Sequence, residues 1–124
     1  MAWVKIPAAN HAVFRTAMQA MPRAIIIPMF GGLAALVNGN LACALFGRSV
    51  IVRLDAAGCD EVLAMDGGGP FDPMGHGPSK DVVMLPELML DELGELRAWM
   101  RRSLEHAATL PPKKKPKKKR AKRA

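Results

Sequence analysis

Apolar residues recur every three or four positions near both ends of the chain, and this spacing predicts two amphipathic helices. The first is predicted over residues 10–21, with Asn10 as its N-cap and Pro22 ending it. The last is predicted to begin at the N-cap Asp91 and to stop before Pro111. The buried stripe of the last helix consists of Leu93, Leu96, Met100, Leu104 and Ala107.

The middle of the chain carries short apolar runs separated by turn sequences, a pattern typical of β-strands. Three of these runs, at residues 33–37, 41–46 and 50–54, are predicted to form an antiparallel meander. Asn38-Gly39, between the first two, is a strong hairpin signal. The β-branched run Ile25-Ile26-Ile27 also favours an extended backbone. Since most of these runs are apolar at every position, we expect helices or a second subunit to cover both faces of the sheet.

A second helix is predicted over residues 56–65, where Asp55 is suited to cap the first turn. A loop rich in glycine and proline follows at residues 66–79, and a short strand at residues 81–85. Together the elements predict an α+β fold with the order α-β-β-β-α-β(-β)-α. Its antiparallel sheet contains the three-strand meander plus one or two further strands, and helices flank it.

The charges divide the 124-residue chain into two parts. Although the net charge is +7, residues 1–112 hold 9 basic and 11 acidic side chains and therefore carry a net charge of −2. We accordingly predict one α+β domain over residues 1–112 and a disordered tail of Lys, Arg, Pro and Ala over residues 113–124.

The tail is the segment whose composition predicts a ligand. It concentrates nine cations in a stretch that can follow a phosphate backbone, but it has no aromatic residue to stack on bases. We therefore expect it to bind nucleic acid without sequence preference. The predicted nucleic-acid-binding residues are Lys113, Lys114, Lys115, Lys117, Lys118, Lys119, Arg120, Lys122 and Arg123.

Residues 24–47 carry no charged side chain and are long enough to span a bilayer. Pro28, Gly31-Gly32 and the turn Asn38-Gly39-Asn40 interrupt this stretch, however. A membrane span tolerates such breaks only where other protein covers them. We therefore predict no membrane segment.

The two cysteines, Cys43 and Cys59, match no disulfide framework and no zinc motif, which favours buried thiols and a cytoplasmic protein. Cys59 could combine with His76 and with Asp66 or Asp72 in a metal site. Zinc sites are usually assembled from closely spaced pairs of ligands, and no such pair is found here. We therefore predict no metal.

The glycine-rich loop also invites a phosphate-binding or catalytic interpretation. It matches neither the P-loop nor the dinucleotide-binding pattern, since Asp72 and Lys80 stand where the third glycine of the latter should be. Ser79 lies three residues from His76, but no nucleophile motif surrounds it. We predict no catalytic residue, no cofactor and no enzyme; an enzyme that uses Asp72, His76 or Lys80 is the alternative.

Several short motifs stand on these elements: Met29-Phe30-Gly31-Gly32-Leu33-Ala34, Val37-Asn38-Gly39, Gly47, Val52-Arg53-Leu54, Pro73-Met74, Leu96-Arg97-Ala98-Trp99 and Leu110-Pro111-Pro112. In this order they resemble the N-terminal domain of the TfoX/Sxy family of bacterial competence regulators, over roughly residues 10–112. The resemblance implies an antiparallel sheet of about five strands with flanking helices. It also implies regulation of competence genes through other transcription machinery, with no known catalytic residues. Regulators of this family carry a second, helical C-terminal domain, and the basic tail stands in its place here.

The resemblance and the tail together predict a non-enzymatic regulatory or accessory domain. It would contact a transcription-related protein partner while the tail contacts nucleic acid. The alternative is a plain protein-interaction domain whose tail only aids solubility. We also expect a homodimer through residues 25–27 or the strand edges, since two apolar sheet faces expose more apolar surface than three short helices cover.

Overall fold

Six antiparallel strands form one sheet in the computed structural model of the chain. The strands are β1 (Ile25–Met29), β2 (Gly32–Val37), β3 (Asn40–Phe46), β4 (Ser49–Arg53), β5 (Gly69–Pro70) and β6 (Val82–Met84). They pair in the order β1-β2-β3-β4-β6-β5. The structure describes residues 6–19, 21, 24–29, 31–72, 75, 77 and 79–111.

The hairpin between β2 and β3 forms where the sequence predicts it. Asn38 and Gly39 both have positive φ angles, 54° and 80°. Two consecutive positive φ angles make a two-residue turn whose twist matches that of the flanking strands, and asparagine followed by glycine adopts them most easily. The pairing register shifts between Ala35 and Leu36, so β3 carries a bulge at Ala42.

The sheet is larger than predicted at two places. The meander has four strands, because β1 pairs with β2 along its whole length, from Ile25 opposite Leu36 to Met29 opposite Gly32. The segment 66–79, predicted as a loop throughout, contains β5. Its two residues are extended because they pair with β6, a contact that the turn-rich local sequence does not indicate.

Three helices lie on one face of this sheet: α1 (Ala8–Met18), α2 (Ala56–Leu63) and α3 (Leu93–Thr109). A 3-10 turn, Glu87–Asp91, precedes α3. The buried apolar side chains of all three helices belong to one core cluster with the helix-facing side chains of the strands. Its largest fully buried members include Phe14, Leu45, Val50, Val52, Val62, Leu96 and Met100. The α+β prediction is thereby confirmed.

The helix caps were predicted with mixed success. Asp55 caps α2 as predicted, since its carboxylate accepts a 2.8 Å hydrogen bond from the Gly58 amide. The prediction that Asn10 caps the first helix is wrong. Pro7 holds the N-cap position and accepts a 2.9 Å hydrogen bond from the Asn10 amide, so that Asn10 lies inside α1.

The predicted cap of α3 is also wrong. Asp91 ends the 3-10 turn, and Glu92 takes the N-cap position without a capping side-chain hydrogen bond. Met89 and Leu90 are buried against the core and hold this turn in place. Packing therefore positions the start of α3, where the sequence pattern favours a polar cap.

The charge-free stretch between residues 24 and 47 forms strands and turns wherever the structure describes it. Among all described residues, no helix has both the length and the apolar character needed to cross a bilayer.

Candidate functional site

The nine tail cations lie outside the described residues, so their binding to nucleic acid stays a prediction. The structure does describe the residues that lead to the tail, up to Pro111. The side-chain amide of Asn40 donates a 3.0 Å hydrogen bond to the carbonyl oxygen of Pro111, just after α3 ends. Asn40 is the first residue of β3. Pro111, two residues before the tail, is therefore attached to the hairpin end of the sheet.

A shallow cleft of about 230 Å³ lies beside the last turns of α3. Leu54, Asp55, Arg102, Glu105, His106 and Thr109 line it. The cleft carries charges of both signs, since Asp55 and Glu105 contribute carboxylates and Arg102 contributes a guanidinium. This cleft at the end of α3 is therefore not a continuous positive surface.

Arg102, the cation of this cleft, is already engaged. Its guanidinium donates to both carboxylate oxygens of Glu61, at 3.2 Å and 3.0 Å, and stands 4.6 Å from the ring centroid of Trp99. The hydrogen bonds from Arg102 lower the pKa of Glu61, and the same bonds raise the pKa of Arg102. A bidentate pair of this kind neutralises the positive charge that an anionic ligand would need.

The glycine-rich loop uses its own polar groups for structure. The carboxylate of Asp72 accepts hydrogen bonds of 3.2 Å and 3.3 Å from the Gly77 amide. Gly77 has a φ angle of 121°, which favours glycine. The Ser79 amide donates to the carbonyl oxygen of Phe71 at 2.9 Å. His76 lies outside the described residues. Of the residues in the catalytic alternative, Asp72 is thus engaged in closing the loop.

The structure provides no metal cluster within its described part. No three His, Cys, Asp or Glu side chains described there are placed to hold a metal ion. Cys59 is buried with its thiol donating to the Leu54 carbonyl oxygen at 3.5 Å, whereas Asp66 is exposed. Burial also has the largest effect on the pKa of both thiols. It raises the pKa of Cys59, and it raises the pKa of Cys43 to about 12. Both cysteines are free and buried, as predicted.

The sheet face opposite the helices, which we call the second face, is the largest apolar feature outside the main core. A second cluster joins the buried Ala34, Ala44, Ile51, Phe71 and Val82 with the half-buried Ile27, Met29, Leu41, Phe46 and Met84. All of its members come from strands except Phe71, which follows β5. Phe71 packs edge-to-face on Phe46, with ring centroids 5.0 Å apart. The chain therefore covers part of the second face with the residue that follows β5.

Some of these features could not be found from the sequence. Asn40 and Pro111 are 71 positions apart, and no local pattern indicates that they meet. Arg53 donates to Asp81 at 2.8 Å and to the Leu41 carbonyl oxygen at 2.7 Å, which again depends on strand pairing. The apolar second face did leave a signal, because the strands are apolar at consecutive positions.

A protein-family model described as the TfoX N-terminal domain matches residues 4–107, which is most of the chain. This finding confirms the resemblance that the motifs indicated. No curated protein and no solved structure matches the chain significantly.

Proposed function

Because the chain belongs to the TfoX N-terminal domain family, we propose that it is a non-enzymatic regulatory or accessory domain. It resembles competence regulators, acts through contacts with a transcription-related protein, and binds nucleic acid through its basic tail. We place it in the cytoplasm, an assignment supported by two unpaired, buried thiols.

The division of charge carries the proposal. Nine cations stand between residues 113 and 123, while residues 1–112 have a net charge of −2. Arg102, the last described arginine before the tail in the sequence, is paired with Glu61. We therefore assign binding to a polyanion to the tail, and Asn40 holds Pro111, two residues before it.

The expected salt dependence follows from counterion release. Each phosphate contact on duplex DNA contributes about −0.9 to the slope of log affinity against log salt. If roughly five to seven of the nine cations engage at once, the slope is about −4.5 to −6.3. Without aromatic residues in the tail, the affinity depends little on base sequence.

Fluorescence anisotropy with a labelled duplex over a salt series tests this proposal. We expect the full chain to show the steep slope, and a chain ending at Pro112 to lose most of its affinity. Replacing Lys113, Lys114 and Lys115 together by glutamine leaves six tail cations and should make the slope shallower, by at most about 2.7. The matched control is Arg101→Gln, which removes an exposed cation of α3 and should leave the slope unchanged.

Two outcomes would contradict the proposal. Equal affinity of the full and shortened chains would show that the tail is not the binding site. A slope of log affinity against log salt near zero would exclude the electrostatic mechanism. If the tail changes solubility alone, the plain protein-interaction domain is the better description. Affinity capture from nuclease-treated and untreated lysate, with and without the tail, separates protein partners from partners held by nucleic acid.

The proposal of a non-enzymatic protein is supported by the loop 66–80. Asp72 is engaged by Gly77, and Ser79 closes the loop through its amide. An enzyme that uses this loop would lose activity on substitution of Asp72, His76 or Lys80 while remaining folded. A reaction with that dependence would overturn the non-enzymatic assignment.

A further inference from the structure

Leu88 is the most exposed large apolar side chain among the described residues, at 75%. It stands in the 3-10 turn before α3, at an open cleft of about 220 Å³. Pro7 and Leu90 give this cleft apolar walls, and Asn10 adds an amide. We call Leu88 and the cleft together the Leu88 cleft. Its volume is below the roughly 300 Å³ at which small-molecule pockets begin, so it is suited to anchor side chains of a larger partner.

The fold holds Leu88 in a fixed position. Just before the turn, the Leu85 amide donates a 2.8 Å hydrogen bond to the carbonyl oxygen of Val50 in β4. Just after Leu88, Met89 and Leu90 are buried in the main core. A side chain that is presented from such a rigid turn is already ordered before a partner binds, so the contact costs little conformational entropy.

The charges at the rim of the Leu88 cleft determine which partner it suits. Arg48 and Glu87 form an ion pair of 3.3 Å across the rim, whereas Asp91 forms no ion pair with another described residue. Glu92 and Glu95 follow at the start of α3, and both are exposed. An apolar centre with a polar rim is the usual composition of a protein–protein contact. The surplus of negative charge here favours a cationic segment and disfavours a polyanion such as nucleic acid.

The Leu88 cleft lies at the opposite end of the sheet from the start of the tail. Asn40, which holds Pro111, is the first residue of β3, whereas Arg48 lies in the turn that follows the last residue of this strand. The seven residues of β3 separate the two ends by about 20 Å. A protein at the Leu88 cleft and nucleic acid on the tail therefore use different surfaces.

We propose that the Leu88 cleft binds a segment of another protein in which a large apolar side chain is flanked by lysine or arginine. This inference rests on the proposed function, because it locates the contact with a protein partner that this function requires. The chain's own tail supplies cations but no large apolar side chain. A second copy that used the same surface would bring two negative rims together.

Selection from a display library of random short peptides on the nuclease-treated full chain tests the proposal. Counter-selection on Leu88→Ala removes peptides that bind elsewhere, including acidic peptides that bind the tail. The peptides that remain are synthesised with a fluorescent label, and their dissociation constants are measured by anisotropy. Asp91→Asn tests the rim, and the matched control is Leu63→Ala, at an exposed leucine of α2. Circular dichroism establishes that each variant is folded.

We expect the remaining peptides to carry a large apolar residue next to lysine or arginine. Leu88→Ala should raise their dissociation constant at least about tenfold, as truncation of an anchoring side chain does. Asp91→Asn should raise it by a smaller factor and weaken its dependence on salt, whereas Leu63→Ala should leave it unchanged. Leu88→Ala should also leave the affinity for duplex DNA unchanged, so failure at the cleft is distinguishable from failure of nucleic-acid binding by the tail.

Four outcomes overturn the proposal. The first is that no peptide depends on Leu88, and the second is that the dependent peptides lack cations. The third is that replacing Lys113, Lys114 and Lys115 together by glutamine tightens peptide binding, which would make the tail the occupant. The fourth is that hydrogen exchange of the chain alone shows protection of residues 86–91 that rises with protein concentration, which would make a second copy the occupant.

Discussion

The substitution Gly68→Ala tests how closely the segment after α2 is packed. Gly68 leads into β5, and its amide donates to the Met65 carbonyl oxygen at 3.1 Å. A Cβ atom at this position would lie far inside the contact distance of the Val62 carbonyl oxygen and 3.3 Å from Val62 Cγ1. Since relaxed contacts between carbon atoms are about 3.5–4.0 Å, the backbone would have to move by on the order of 1 Å.

The clash involves a backbone carbonyl at the end of α2, so a change of side-chain rotamer cannot relieve it. Overpacking of this kind costs about 3 kcal/mol, at the upper end of its usual range. For a domain of this size that lowers Tm by on the order of 10 °C. The control is Gly69→Ala, whose Cβ would meet nothing within 4 Å. We expect this variant to be as stable as the wild type or more stable by up to about 1 kcal/mol.

Urea unfolding followed by far-ultraviolet circular dichroism measures both variants. The expected result is a lower midpoint for Gly68→Ala with the slope unchanged, and no such loss for Gly69→Ala. If the two variants unfold within about 0.5 kcal/mol of each other, a difference that surface substitutions also produce, the close approach of Gly68 to Val62 is refuted.

Two further predictions concern single side chains. Asp55→Ala removes the carboxylate that caps α2 through the Gly58 amide, and urea unfolding should show that the free energy of unfolding falls by about 1 kcal/mol. Asp55→Ser keeps a capping oxygen and should recover most of this loss. Equal losses for the two variants would contradict the capping role. Burial raises the pKa of Cys43 to about 12 from an ordinary 9.0, so the unfolded chain releases this proton first. The thiol's contribution to stability is therefore intact below pH 9 and falls as the pH rises from about 9 toward 12, by about 1.4 kcal/mol per pH unit. Urea unfolding between these pH values should show a steeper loss for the wild type than for Cys43→Ala, and parallel losses would contradict the assignment.

Local chemistry explains what could be predicted from the sequence. Asn38-Gly39 indicated a hairpin because few residue pairs adopt two positive φ angles easily, and Asp55 indicated a cap because its side chain acts within three residues. The α3 start was misplaced because buried Leu90 determines it through packing. β5 was missed because its extended backbone depends on pairing with β6.

In the candidate site too, local sequence signals could be predicted and contacts between distant residues could not. The tail was recognisable from composition alone, since its charges are contiguous in sequence. Its attachment through Asn40 joins residues 71 positions apart and becomes visible only in the folded chain. The apolar second face was indicated by strands that are hydrophobic at consecutive positions, whereas its partial cover by Phe71 was not, because this contact comes from a loop.

The position of α3 at the end of the domain affects how the chain folds as it is synthesised. β1 to β4 are joined by short hairpins, which form within microseconds once their residues are available. The helix-side residues of this meander, such as Leu45 and Val52, are covered by α3, which is made last. At about 5–20 residues per second, the ribosome needs several seconds to complete that helix. During this interval the nascent sheet exposes apolar side chains that α3 later covers, so we expect the growing chain to depend on protection of this surface until α3 is complete.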